Sequence, residues 1–195
     1  MKMVISGVKG AGKSTTIKYI IEQKPDIKLI RVGDYFEKIF NQMGFKRDEG
    51  DKKIKREDYV KFHKKVFKEI GKECKKHKNV IIDTNMFFTK PEGYYPGLPF
   101  FALQELEVDL IALLEYNPKF ILERREKDLK EIGRERSAAM TIEGIEKEQE
   151  VQKMYAFACS EILSCTVKII RRDDEEKYEF EHAKENAKEL LQLFN

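Results

Sequence analysis

Residues 7–15 read GVKGAGKST and follow a short apolar run at residues 3–6. This stretch matches the pattern G-x-x-x-x-G-K-[ST] at every fixed position. Its small residues let successive backbone N–H groups point inward at an anion, and a helix that begins near Lys13 adds the partial positive charge of its N-terminus. The stretch therefore predicts a strand, a phosphate-binding loop (residues 7–15, the P-loop) and a helix.

Each residue of this loop is a candidate for holding the phosphates of a nucleotide. Lys13 can reach the β- and γ-phosphates, and the hydroxyl of Ser14 suits Mg²⁺, so ATP and Mg²⁺ are the expected cofactors. A glycine-rich turn without a ligand is the alternative, but the predicted strand, loop and helix supply the context that a P-loop requires. The candidate nucleotide-binding residues are Gly7, Val8, Lys9, Gly10, Ala11, Gly12, Lys13, Ser14 and Thr15.

The composition favours a globular protein of the cytoplasm. The 195 residues are 41% hydrophobic and carry a net charge of only +3, whereas a dedicated nucleic-acid-binding protein has a strong basic excess. Three cysteines without C-x-x-C spacing argue against a zinc site or a disulfide framework. No apolar stretch reaches the ~18 residues that a membrane span needs. We expect a cytoplasmic protein with no membrane partner.

Five apolar runs read as strands and alternate with segments of helical period. The helical segments include the stripe Phe36, Ile39 and Phe40 and a last helix with Ala183 and Ala187 on one face, for which Asp173 or Asp174 is the expected N-cap. This alternation predicts an α/β fold, with a five-stranded parallel sheet covered by helices on both faces. The predicted strands cover residues 3–6, 27–32, 80–83, 110–115 and 166–170.

Charged residues mark further candidate positions at strand and helix ends. Asp83 closes the strand VIID, where a carboxylate of a P-loop protein holds the metal, although aspartate also caps helices. Residues 124–141 are dense in arginine and fit a lid that neutralises a transferring phosphoryl group, with a solvated charged helix as the alternative. The candidate catalytic residues are Lys13, Arg124, Arg125, Arg134 and Arg136, and the metal candidates are Ser14 and Asp83.

A second substrate is expected beyond the second strand. Gly33 and Asp34 follow that strand and open a helix, and Lys52 is one of several lysines that could hold the second substrate's phosphate. An ordinary exposed basic face explains the lysines equally well. The three histidines, His63, His77 and His182, are isolated in sequence and are expected to be surface or packing residues.

Two stretches that no P-loop requires resemble the archaeal type of adenylate kinase. VIIDTN at residues 80–85 is similar to that family's strand ending in D-T-H, and TKPEGYYPGLP at residues 89–99 is similar to its K-T-P-x-G-Y-x-x-G-L-P segment. LQEL at residues 103–106, the paired arginines with the following R-x-R, and the strand at 166–170 continue the match. The resemblance covers nearly the whole chain and is weakest between residues 44 and 78.

The resemblance implies one kinase domain over residues 1–195 that transfers the γ-phosphoryl group of Mg-ATP to AMP and forms two ADP. It implies a helical insert for the monophosphate at about 34–78, a lid at about 124–141, acceptor contacts from Asn85 and Gln104, and a homotrimer. The chain departs from the family in two regions: Lys52 and Lys53 stand where it usually has an arginine, and Asn85 replaces its histidine. Both departures lie on the monophosphate side, so they concern the identity of the acceptor. Lysine cannot make the two-pronged contact with phosphate that arginine makes.

Other functions compatible with the P-loop are a kinase for a different monophosphate or metabolite and an ATPase that acts on RNA or ribosomes. A GTPase is disfavoured because the guanine-reading tetrapeptide N-K-x-D does not occur in the chain. Measuring phosphoryl transfer to a panel of acceptors would distinguish a kinase for a different acceptor from one for AMP. Strong stimulation of ATP hydrolysis by RNA would favour the ATPase.

Overall fold

The computed structural model describes residues 1–42, 56–90, 93–132 and 139–194. Its central sheet has five parallel strands in the order β2-β3-β1-β6-β7, which confirms the predicted fold class. These strands are β1 (Lys2–Gly7), β2 (Lys28–Arg31), β3 (Val80–Asp83), β6 (Leu110–Tyr116) and β7 (Thr166–Arg172).

Helices connect the strands and cover both faces of the sheet. The described helices are α1 (Lys13–Gln23), α2 (Val32–Gln42), α3 (Arg56–Cys74), α4 (Phe100–Leu103), α5 (Pro118–Ile132), α6 (Ile142–Leu163) and α7 (Glu181–Leu191). The predicted insert at 34–78 falls on α2 and α3, with residues 43–55 outside the described residues. The predicted lid at 124–141 falls on α5 and the start of α6, with residues 133–138 outside them.

Successive residues of each strand enter opposite layers of the core, because side chains alternate along a strand. Val4 and Ile82 pack with Phe36 and Val66 of α2 and α3 on one face. On the other face, residues such as Ile5 pack with side chains of α1 and α7. This two-sided burial explains why the strands read as continuous apolar runs in the sequence. The helical stripe Phe36, Ile39 and Phe40 is buried as its spacing predicts.

A two-stranded antiparallel hairpin, β4 (Phe87–Lys90) and β5 (Gly93–Pro96), lies outside the main sheet. The sequence did not predict it, because prolines and aromatic residues obscure the strand pattern between 84 and 99. Gly97 fixes the return of the chain: its N–H donates to Met86 O at 2.7 Å, and a Cβ here would lie 1.9 Å from Asn85 O. Only glycine fits at this position without moving the backbone of residue 85.

The last helix begins later than predicted. Neither Asp173 nor Asp174 is its N-cap; α7 starts at Glu181, and Phe180 precedes it with a left-handed backbone, φ 62°. The Glu181 carboxylate accepts a hydrogen bond from Lys177 N at 2.6 Å, so it stabilises the turn before the helix. The apolar stripe of this helix is confirmed, with Ala183 and Ala187 buried. Within the described part of the chain, no helix combines the length and apolar character that crossing a bilayer requires.

Candidate active site

The P-loop joins β1 to α1 and turns sharply at two glycines. Gly10 and Gly12 have φ of 89° and 65°, values that residues with a Cβ rarely adopt. A Cβ at Gly10 would lie 3.3 Å from Ile121 Cγ2, and one at Gly12 would lie 3.4 Å from Tyr116 Oη. Ala11 N donates to Val8 O at 3.0 Å and closes the turn. The loop therefore presents bare backbone at the N-terminus of α1, as an anion nest requires.

Lys13 and Asp83 meet at the mouth of this loop. The Lys13 ammonium donates a hydrogen bond to Asp83 Oδ1 and forms a salt bridge with it. Their meeting follows from the sheet, because Asp83 at the end of β3 pairs in register with Ile5 of β1, two residues before the P-loop. The carboxyl ends of parallel strands lie at one edge of the sheet. The prediction that Asp83 acts beside the P-loop depends on this topology, and the structure has it.

The oxygen ligands near the P-loop fit Mg²⁺. Mg²⁺ takes one or two carboxylates together with phosphate oxygens and water, rather than a dense cluster of protein ligands. Asp83 supplies a half-buried carboxylate, and Ser14 supplies an exposed hydroxyl in the first turn of α1. No group of three or more His, Cys, Asp or Glu arranged to hold a metal occurs among the residues that the structure describes. The Ser14 and Asp83 pair thus remains the candidate metal site.

A cavity of about 140 Å³ opens beside Lys13, at the carboxyl ends of β2 and β3. The aromatic part of its lining is the contacting group Phe36, Phe40 and His63, and the charged part includes the ion pair of Lys13 and Asp83. The predicted residues Gly33, Asp34 and Asn85 contribute to it. Its lining consists of Lys13, Arg31, Val32, Gly33, Asp34, Phe36, Phe40, His63, Asp83, Thr84, Asn85 and Phe88.

His63 is the buried polar residue of the aromatic part. Its ring lies against Phe36, with 4.3 Å between ring centroids, and meets the edges of Tyr95 and Phe101. The side chain is 1% exposed. Burial, with a smaller contribution from Lys90, lowers the pKa of His63 from 6.5 to about 3. The imidazole is therefore neutral at physiological pH.

Arg124 lies against the P-loop from the β6 side. Its guanidinium donates to Gly10 O at 3.2 Å and to Glu176 Oε2 at 3.2 Å, and lies 4.8 Å from the centre of the Tyr116 ring. Arg124 is not among the residues that line the cavity at β2 and β3. The structure thus places it next to the loop predicted to hold ATP, while its role in neutralising the transferring phosphoryl group stays a prediction.

Arg125 points into the protein, on the buried face of α5. Its guanidinium donates to Lys9 O at 2.8 Å, to Ala139 O at 2.5 Å and to Glu148 Oε2 at 2.8 Å. Glu148 Oε1 accepts from Ala139 N at 2.9 Å, which closes the network. The network ties the P-loop to Ala139, near the end of the predicted lid. A direct contact of Arg125 with phosphate stays a prediction, since all three guanidinium nitrogens already have partners here.

The remaining predicted residues either lie away from the cavity lining or fall outside the described residues. Gln104 ends α4 with an exposed side chain and is not part of the cavity lining. Lys52, Arg134 and Arg136 lie outside the described residues. Their proposed contacts with the acceptor and with the transferring phosphoryl group stay predictions.

Comparison with known proteins assigns the family. The chain is 36% identical to the adenylate kinase of Pyrobaculum aerophilum, over 99% of this chain and 96% of that protein. It is 32% identical to the adenylate kinase of Thermoplasma acidophilum, over 89% of this chain and 91% of that protein. The chain belongs to the adenylate kinase family. The predicted resemblance is confirmed, and a family model described as an AAA domain also matches residues 6–146.

Solved structures of two small-molecule kinases share the fold of this chain. Shikimate kinase from Bacteroides thetaiotaomicron superposes with a TM-score of 0.59 at 14% identity, over 100% of this chain and 98% of that one. Deoxyadenosine kinase from M. mycoides superposes with a TM-score of 0.55 at 15% identity, over 98% of this chain and 100% of that one. At these identities the similarity concerns the fold alone, and it agrees with the predicted five-stranded sheet.

Several lining residues of the cavity were not predicted as site residues, and Arg31 and His63 are the two with ionisable side chains. Arg31 ends the apolar strand β2 just as Asp83 ends β3, so the signal that identified Asp83 could also have found Arg31. His63 gave no such signal, because a histidine within a helical pattern is more often a packing residue. Both residues line the cavity that also contains Gly33, Asp34 and Asn85.

Proposed function

We propose that the protein transfers the γ-phosphoryl group of ATP reversibly to AMP and forms two molecules of ADP. The observation that carries the proposal is the cavity beside Lys13, which continues from the P-loop to the ends of β2 and β3. One nucleotide on the P-loop and a second in this cavity would bring donor and acceptor phosphates together. The adenylate kinase relatives make AMP the expected acceptor.

The P-loop and Lys13 would hold the donor nucleotide. The N–H groups of residues 7–15 and the start of α1 surround a phosphate with hydrogen-bond donors. Phosphate oxygens offer Lys13 anionic partners in addition to Asp83, so its ammonium can bridge the loop and the γ-phosphoryl group. Ser14 and Asp83 would hold Mg²⁺, which supplies positive charge to the β- and γ-phosphate oxygens when it is bound.

Phosphoryl transfer of this kind depends on positioning and charge. The transferring group spreads negative charge over its equatorial oxygens, and fixed cations lower the energy of that arrangement. Lys13 and Arg124 would act from the P-loop side, and Arg134 and Arg136 from the predicted lid. No general base is needed, because the attacking oxygen of the acceptor phosphate is already ionised.

The acceptor would lie along the cavity, with its phosphate near Gly33, Asp34 and Lys13 and its base toward Phe36 and Phe40. Asn85 lines the same cavity where the family usually has histidine. This departure keeps a kinase for a different nucleoside monophosphate as the second candidate, with the same donor site. Lys52 and Gln104 are carried forward as further acceptor contacts.

Association into a homo-oligomer, with a trimer as the form that the resemblance implies, is also proposed. Large apolar side chains are exposed on α6, where Met154 is 68% exposed and Phe157 is 54% exposed. Neighbouring exposed apolar residues are typical of protein interfaces. Sedimentation equilibrium would test the proposal, which a monomer at micromolar concentration would contradict.

The Lys13→Met variant tests the donor side of the mechanism. It removes the charge that bridges the P-loop and the γ-phosphoryl group, and we expect kcat to fall by at least about 10²-fold. Lys18→Met, on an exposed turn of the same helix, is the matched control and keeps wild-type kcat. Circular dichroism shows whether both variants fold. A folded Lys13→Met variant with wild-type turnover would contradict the mechanism.

A further inference from the structure

Arg31 ends the edge strand β2 and borders the cavity. It pairs in register with Asp83 of β3, so its backbone lies beside the strand end that supports the Lys13 salt bridge. Its side chain is exposed and lines the cavity next to Gly33 and Asp34. Arg31 therefore stands on the β2 side of the cavity, at the charged part of the lining.

Among the charged residues that line the cavity, Arg31 is the cation that no described carboxylate pairs with. Its described lining has two basic residues, Lys13 and Arg31, and two acidic residues, Asp34 and Asp83. Lys13 is paired with Asp83. Across residues 1–42, 56–90, 93–132 and 139–194, Arg31 has neither a salt bridge nor a side-chain hydrogen bond. A guanidinium in this position can bind an incoming anion without first breaking an ion pair to a described carboxylate.

The acceptor brings such an anion. A phosphate monoester carries a charge of about −1.5 to −2 at pH 7. Asp34 and Asp83 add negative charge on the same side, so binding a monophosphate there requires compensating cations. Guanidinium is the side-chain group that best meets phosphate, because two parallel N–H groups match two phosphate oxygens.

We infer that Arg31 binds the phosphate of the acceptor nucleoside monophosphate. The inference rests on the proposed function and names the residue that anchors its second substrate. A phosphate bound at Arg31 also orients the acceptor. The base can then lie against the aromatic part of the cavity, which consists of Phe36, Phe40 and His63. Arg31 also supplies a guanidinium on the acceptor side of the cavity.

The Arg31→Met and Arg31→Lys variants test this assignment. For wild type and both variants, initial rates are measured against AMP at saturating ATP and against ATP at saturating AMP. Methionine keeps an unbranched apolar stem and removes the charge, so KM for AMP should rise by about tenfold to hundredfold while KM for ATP stays within twofold. Lysine keeps the charge without the fork and should give an intermediate KM for AMP.

Equilibrium binding separates a phosphate contact from a general change in the cavity. AMP and adenosine differ only in the phosphate, so Arg31→Met should weaken AMP binding by the same factor as its KM and leave adenosine binding unchanged. Arg171→Met is the matched control, because Arg171 lies near the end of the opposite edge strand, β7, beside Asp173. This control should retain wild-type values for both ligands.

The outcomes distinguish this inference from the proposed function. Wild-type transfer to AMP with an unchanged KM for AMP in a folded Arg31→Met variant overturns the role of Arg31 and leaves the proposed function intact. Equal weakening of AMP and adenosine binding also overturns it, since the effect would then be independent of the phosphate. Wild-type protein that transfers phosphoryl groups to no monophosphate overturns the proposed function, and the inference with it.

Discussion

His63 places an ionisable ring inside the protein beside the proposed acceptor site. Phe36, Tyr95 and Phe101 surround it, so a charge on the imidazole would be poorly solvated. Burial accordingly lowers its pKa from 6.5 to about 3, with Lys90 adding to the effect. The ring thus contributes to the core as a neutral group, and its neutrality links the stability of the fold to pH.

His63→Phe should flatten the pH dependence of stability below pH 6.5. In the unfolded chain His63 binds a proton near pH 6.5, whereas in the native protein it remains neutral until about pH 3. His63 therefore costs no stability above pH 6.5. As pH falls from 6.5 toward 3, the free energy of unfolding decreases by up to about 1.4 kcal/mol per pH unit. Urea unfolding of wild type and variant between pH 7 and pH 4.5 measures the difference.

The partly exposed His77 offers a matched control for this experiment. His77 lies near Glu73, and its side chain is 37% exposed. Carboxylates titrate alike in wild type and His63→Phe, so their contribution cancels when these two curves are subtracted. In His77→Phe the Glu73 carboxylate loses one partner, but Lys76, the larger cause of its lowered pKa, remains. His77→Phe should keep most of the wild-type dependence on pH. Parallel curves for wild type and His63→Phe would show that His63 is not the group responsible.

At single residues, the sequence predicts function best where backbone chemistry leaves a pattern. Gly7, Gly12 and Lys13 follow a fixed spacing because a phosphate requires bare backbone and a cation at set distances. Arg125 shows the opposite case. Nothing in the letters R-R distinguishes an exposed arginine from one that is 6% exposed, and only the fold brings Lys9, Ala139 and Glu148 around it.

Among the elements, α5 and α6 support the P-loop through this buried network. Arg125 of α5 joins the backbone of Lys9 to Glu148 of α6, and Glu148 in turn holds the backbone N–H of Ala139. Loop, helices and the end of the predicted lid are therefore connected through one ion pair.

Removing one partner of this pair should be more damaging than removing both. Arg125→Met leaves the Glu148 carboxylate buried without its cation, at a cost of about 3–5 kcal/mol in the free energy of unfolding. Adding Glu148→Met removes that stranded charge, so the double variant should lose less stability than the sum of the single variants. Urea unfolding of the four proteins measures the coupling.

The exposed pair Lys18 and Glu22 sets the scale for comparison. Both side chains are largely exposed, so Lys18→Met should change the free energy of unfolding by less than about 1 kcal/mol. Strict additivity of Arg125→Met and Glu148→Met would contradict the network. A loss as small as that of Lys18→Met would do so as well.

Helices and strands were predicted correctly where burial imposes a regular spacing of apolar residues along the chain. The inner strands β1, β3 and β6 are buried on both faces, which makes them continuous apolar runs, whereas the edge strands β2 and β7 are partly exposed. The hairpin β4–β5 was missed because it packs beside the sheet, and its aromatic residues alternate with glycine and proline. The start of α7 was misplaced because the Glu181 carboxylate shapes the preceding turn, a contact that an N-cap rule does not consider.

At the scale of the molecule, the sheet order explains why the proposed site lies where it does. The chain runs from β1 to the edge strand β2, returns through β3, and crosses β1 to reach β6 and β7. Loops after β1, β2 and β3 therefore emerge together, and they carry Lys13, Asp34 and Asn85. The strand pattern predicted this edge as the site. The cavity itself depends on side chains from α2 and α3 that only the fold brings there.

Single-turnover transfer from γ-labelled ATP, with AMP, CMP, UMP and GMP offered separately, tests the central claim most directly. The account predicts labelled ADP with AMP and at most traces of labelled product with the other three acceptors. Transfer to a different monophosphate in preference to AMP would contradict the identity of the acceptor. Release of free phosphate without transfer to any acceptor would contradict the kinase activity itself.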